Sequence, residues 1–199
     1  NTNSTGAVST PNATNATITN NGVIQSPTNR AFRTSGGQID ELINNGTINA
    51  EGREGLRNGG TINILTNTGT ISAGGNQGIN NRNSGIIGTI TNSSSGTITA
   101  GDSQGLRNDG TIGTITNSGE ISADNDFGLL NNATGTITAL RNSGEISAAD
   151  DFGLQNKGII GTITNSGTIS ADAQFGLHNL DSSSIITSLI NTGTISSGT

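Results

Sequence analysis

The one recurring constellation of side chains in this sequence that could do chemistry is made of aspartates. Asp102, Asp124, Asp126, Asp150, Asp151 and Asp172 fall in stretches of related form: AGDSQG (100–105), ADNDFG (123–128), AADDFG (148–153) and ADAQFG (171–176). AEGREG (50–55) and AGGNQG (73–78) are earlier versions of the same stretch. Clustered carboxylates can bind Ca²⁺ through hard oxygens, flank a glycosidic bond as acid and base, or keep an exposed edge soluble. The calcium nonapeptide GGxGxDxUx is absent. The expectation is a solvated edge first and a partner-binding or Ca²⁺-binding edge second. These six aspartates are the candidate binding residues, and no catalytic residue, resident metal or cofactor is assigned.

Other routes to catalysis are closed by residue counts. Cys is absent and His178 is the sole histidine, which removes cysteine nucleophiles and Cys or His metal sites. His178 ends a freely varying column, Arg33, Arg57, Asn80, Arg107, Leu130, Gln155, His178, and reads as a surface position. No GxGxxG, P-loop or HExxH motif occurs. Phe127, Phe152 and Phe175 align where earlier stretches carry Gln77 and Gln104, and are expected to stack. Sequons such as Asn12-Ala-Thr14 carry no weight in a chain so rich in Asn and Thr.

The net charge of −6 disfavours a nucleic-acid partner. It is unevenly spread: residues 1–100 hold 5 basic and 4 acidic side chains, residues 101–199 hold 3 and 10. Hydrophobic residues are only 29% of the chain, so it can fold only if nearly all of them reach a core. Their positions are regular enough for that.

The elements that must carry the aspartates are written by an internal repeat. Phrases such as GTITNSGEIS (113–122) and GTITNSGTIS (161–170) recur around an Asn anchor at 20, 44, 67, 92, 117, 142, 165 and 191. Asn44, Asn67, Asn92, Asn117, Asn142, Asn165 and Asn191 are assigned to a structural ladder. A second column, Asn58, Asn81, Asn108, Asn131, Asn156 and Asn179, runs beside it. Stacked amides can bond one another and the turn backbone, because each has two donors and an acceptor oxygen. Ile or Leu stands two residues before every anchor, and Ile recurs after every following glycine. Thr, Ser or Gly flank these apolar residues, the period-2 alternation of a strand with one face inward.

Three short strands and three bends per repeat of 23–26 residues predict an all-β fold, a three-strand parallel β-helix of about eight coils. At the strand spacing of ~4.8 Å the rod is roughly 35–40 Å long. Residues 1–14 are expected to form a leader or cap, and 15–199 a single repeat array. No stretch reaches 18 consecutive apolar residues, the length of a membrane-spanning helix. The opening NTNSTGAVST has neither the charged nor the apolar region of a signal peptide, and the final NTGTISSGT stops within a repeat. The expectation is a piece of a longer, processed protein.

The GTITNSGTIS phrases resemble the repeats of bacterial autotransporter (type V secreted) passenger domains over about residues 15–199. The resemblance implies a right-handed β-helix displayed at the bacterial cell surface through a C-terminal outer-membrane barrel, or secreted. It also implies an adhesin that binds a host-cell or matrix receptor, or another copy of itself, through the polar flanks of the rod. The alternative it allows is a structural stalk presenting a functional domain elsewhere in the full-length protein.

Overall fold

A computed structural model describes residues 8–180 and 182–198, and within them every regular element is a strand. Each coil has three sides, as the 97–117 coil shows with Thr97–Ala100, Leu106–Asn108 and Thr111–Asn117. Side one is an eight-stranded sheet running from Val23–Ser26 to Thr194–Ser197. Sides two and three share one sheet, because Phe32–Asn44 and Leu56–Asn67 continue unbroken around the corner between them. All pairings are parallel, and equivalent residues of successive coils lie in register: Ile98 on Ile121, Leu106 on Leu129, Ile115 on Leu140. The protein is a parallel β-solenoid of about eight turns.

The core is the set of apolar columns read in the sequence. Ile62, Ile87, Ile112, Ile137 and Ile160 are fully buried, as are the Leu and Ile residues that face them from the other two sides. Burying each such side chain stabilises by roughly 1.5–3 kcal/mol, which is how so few apolar residues suffice. In the final coil the same columns are uncovered: Leu189 is 45% exposed, whereas Ile163 one coil earlier is 0%.

Val8–Thr10, in the segment expected to be a leader or cap, form a strand paired with Phe32–Thr34, and Val8 packs against the core. Residues 8–10 therefore belong to the first coil; residues 1–7 of that segment lie outside the described ones. The second asparagine column does not mark this strand, because Thr10 and Thr34 occupy the positions that later coils fill with asparagine.

Candidate functional site

The six aspartates lie in the bends between sides one and two, where the chain leaves the buried alanines Ala100, Ala123, Ala148 and Ala171. Asp102, Asp124, Asp150 and Asp172 are exposed, and Asp126 and Asp151 half-buried. They share an edge without forming one stack. Counting from the alanine, Asp124 and Asp172 take the first position, Asp102 and Asp150 the second, and Asp126 and Asp151 the third. Only Asp126 and Asp151 are like-placed on adjacent coils, and both are engaged by amides. Gln104 Nε2 donates to Asp126 Oδ2 at 2.6 Å, and Gln174 Nε2 to Asp151 Oδ1 at 2.5 Å. Burial, and then the charge of Asp151, raise the Asp126 carboxyl above its ordinary range, partly offset by Gln104 and Lys157. Among the described residues no three His, Cys, Asp or Glu side chains are grouped to hold a metal ion.

Inside this edge the aromatic residues form the expected stack. Phe127 and Phe152 have centroids 5.7 Å apart and Phe152 and Phe175 6.2 Å, each pair 8° from parallel. His178 belongs to the same stack, 4.4 Å from Phe152, with Nδ1 3.2 Å from Gln155 Nε2. The position read as plain surface is thus half-buried, since the ring next to it is aromatic. In earlier coils the column is polar: Gln77 Nε2 donates to Gln104 Oε1 at 2.9 Å.

Both asparagine ladders are present. Asn44, Asn67, Asn92, Asn117, Asn142 and Asn165 each donate to Oδ1 of the next anchor at 2.8 Å, ending on Asn191, and Asn20 starts the series. Asn58, Asn81, Asn108, Asn131 and Asn156 do the same towards Asn179 at 2.8–2.9 Å. Each amide also faces main-chain carbonyls of its own turn or the next coil, as Asn44 does with Gly46 and Thr70. These side chains hold corners, and all but the terminal Asn179 and Asn191 are buried.

Sequence reasoning passes over a fourth group, at the corner between sides two and three of the early coils. Arg33, Arg57 and Arg82 line a concavity of about 350 Å³ with Ser35, Gly59 and Ser84. Arg33 and Arg57 are cross-strand partners. Arg82 follows the ladder residue Asn81 and donates its backbone N–H to Asn58 O at 2.9 Å. Arg30 lies nearby but is engaged, its Nε 2.9 Å from Glu54 Oε2. That pair is held by charge, because neither atom meets the angular requirement of a hydrogen bond. Burial lowers the Arg57 pKa, followed by the charges of Arg30 and Arg82; Glu54 opposes and Arg33 adds to the shift.

The chain matches no family model, no curated protein and no solved structure. Two coils from Arg57, its own repeat supplies the most informative comparison. Arg107 occupies the Arg57 column, each pairing with Asn80 from opposite sides. It grips Asp109 through Nε–Oδ2 at 2.8 Å and a second nitrogen to Oδ1 at 2.9 Å. Asn132 Nδ2 also donates to Asp109 Oδ1 at 2.6 Å. Burial pushes the Asp109 carboxyl upward, but the bonds from Arg107 and Asn132 and the charges of Arg107 and Arg82 outweigh it and leave it below 3.8. The signal for the arginine group was present as Arg33, Arg57 and NNRNSG (80–85), but a net charge of −6 conceals a local surplus of the opposite sign.

Proposed function

We propose that this solenoid is a non-enzymatic, surface-displayed passenger segment that mediates adhesion or cell–cell self-association through its polar sides. The observation that carries the reading is side one. Its outward positions form two continuous rows, Thr70, Thr97, Glu120, Glu145 and Thr168, and Ser72, Thr99, Ser122, Ser147 and Ser170. A parallel sheet faced with aligned hydroxyls, interrupted in one row by the carboxylates of Glu120 and Glu145, offers another sheet or a glycan a regular array of donors and acceptors. The resemblance to autotransporter passengers supports display at the bacterial surface. The test is to coat beads with the fragment and measure their aggregation and their adherence to host cells and matrix. Aggregation or adherence that is lost on Thr99→Lys with Ser122→Lys supports the reading. Beads that do neither overturn it.

A second reading, a stalk that holds a distant domain away from the membrane, is favoured by the unbroken ladders. Seven Asn–Asn bonds along one corner suit a stiff rod. Fragments that stay monomeric and bind nothing would fit this reading.

A further inference from the structure

Gly59 leaves a gap in an otherwise occupied column. The residue following the second asparagine ladder is Arg82, Asp109, Asn132, Lys157 and Leu180 in successive coils, each sending its N–H to the previous ladder residue. In the coil of Arg57 that position is Gly59, which brings no side chain. Arg57 and Gly59 therefore have the same relation as Arg107 and Asp109, with the arginine kept and the carboxylate removed. Among the described residues Arg33, Arg57 and Arg82 have no ion pair and no side-chain hydrogen bond. The carboxylates whose charge couples to Arg57 and Arg82 are committed elsewhere, Glu54 beside Arg30 and Asp109 to Arg107.

We propose that the hollow formed by Arg33, Arg57 and Arg82 over Gly59 is a binding site for an oxyanion, with a carboxylate seated on Arg57 as Asp109 is seated on Arg107. A guanidinium presents parallel N–H donors matched to two oxygens of one anionic group, which a chloride ion cannot satisfy. Two further arginines and the hydroxyl of Ser35 line the same hollow and supply donors to the remaining oxygens, while the Ser84 hydroxyl donates to Gly59 O at 3.4 Å. Burial first, and then the charges of Arg30 and Arg82, disfavour the charged form of Arg57, and an anion entering the hollow offsets both. The chemistry is shared by a free small acid and by the acidic group of a sugar. It stands apart from the adhesion reading, which rests on side one.

The test is an NMR titration of the whole fragment with acetate, D-glucuronate and inorganic sulfate at constant ionic strength set by NaCl. Saturable shifts of the Arg33 and Arg57 side-chain Nε–H signals and of the amides around 59 and 83–84 are expected. Arg57→Gln, which copies Gln155 of the same column, should weaken binding roughly tenfold or more. Gly59→Asp should abolish it while raising the melting temperature, because the new carboxylate occupies Arg57 within the chain. Equal affinity for acetate and glucuronate assigns the site to the oxyanion alone; tighter glucuronate binding assigns it to an acidic sugar. The proposal fails if the shifts do not saturate, if chloride reproduces them, or if both variants bind as the parent does.

Discussion

Asn117 donates its side-chain amide to Oδ1 of Asn142 one coil further on, at 2.8 Å, while its own Oδ1 accepts from Asn92 at 2.8 Å. The same Nδ2 reaches the carbonyls of Glu145 at 2.8 Å and Gly119 at 3.2 Å. One buried residue thus ties together three coils, and the ladder is continuous only if every member is an amide. Serine is too short to reach both neighbours, and aspartate has no donor.

Removing an interior rung is therefore expected to cost far more than removing the last one. Asn117→Ala leaves the buried Asn142 Oδ1 without its donor, removes the bonds to the Gly119 and Glu145 carbonyls and takes one of the acceptors of Asn92, which keeps Gly96 O and Glu120 O, a loss on the order of 3 kcal/mol. Asn191→Ala at the exposed end of the ladder should cost under about 1 kcal/mol. Urea unfolding followed by far-UV circular dichroism checks the difference; equal losses would mean that the ladder follows the fold rather than supporting it.

The same contrast holds for the apolar columns. Ile163 is fully buried, while Leu189 above it is 45% exposed. Ile163→Ala should destabilise by about 2–5 kcal/mol, since the stacked coils cannot close the cavity. Leu189→Ala has neighbours on one side only, so its expected cost is about 1 kcal/mol. The midpoints of the two variants under one denaturant series decide the matter.

Columns of this kind are legible in sequence because position and residue type are fixed together. A β-branched residue with small polar neighbours, an Asn two places later and a glycine beyond it leave one solution for the coil. Charge is not written that way. Whether Asp102 meets Asp124 or Asp126 meets Asp151 depends on which loop positions coincide across coils, and the loops vary in content where the strands do not. Arg82 is hidden for a similar reason. The turn closed by the bond from Gly85 N to Arg82 O lengthens its corner, so the residue looks unaligned although it stands over Gly59. Val8–Thr10 is unmarked because the second asparagine column begins only at Asn58, with Thr10 and Thr34 in the two coils before it.

Glycine positions separate in the same manner. A Cβ on Gly78 would lie 2.7 Å from the carbonyl oxygens of Gly105 and Thr99, which are fixed backbone. Gly78→Ala is expected to destabilise by about 1–3 kcal/mol or to hinder folding. At Gly59 the nearest atom is Thr34 O at 3.4 Å, an ordinary contact. Gly59→Ala should instead stabilise by about 0.5 kcal/mol, since it restricts the unfolded chain. Thermal melts that shift in the same direction for both would contradict this division.

The two perturbed aspartates should respond to acid with opposite signs. Asp109 has a folded pKa below 3.8, so its stabilisation is fully present above that value and is lost as pH falls through the lower folded one. Asp109→Asn should therefore lower stability at pH 7, with the deficit shrinking below pH 3.8. Asp126 has a folded pKa above 3.8, so its ionised form opposes folding at neutral pH. Asp126→Asn keeps a partner for Gln104 and removes the repulsion from Asp151, so it should stabilise at pH 7. That gain should fade as pH falls through the raised folded value, because the parent carboxyl is then neutral as well. Melting temperatures of both variants and the parent from pH 7 down to pH 2 give the comparison. Parallel curves for the three proteins would show that neither carboxylate is coupled to folding.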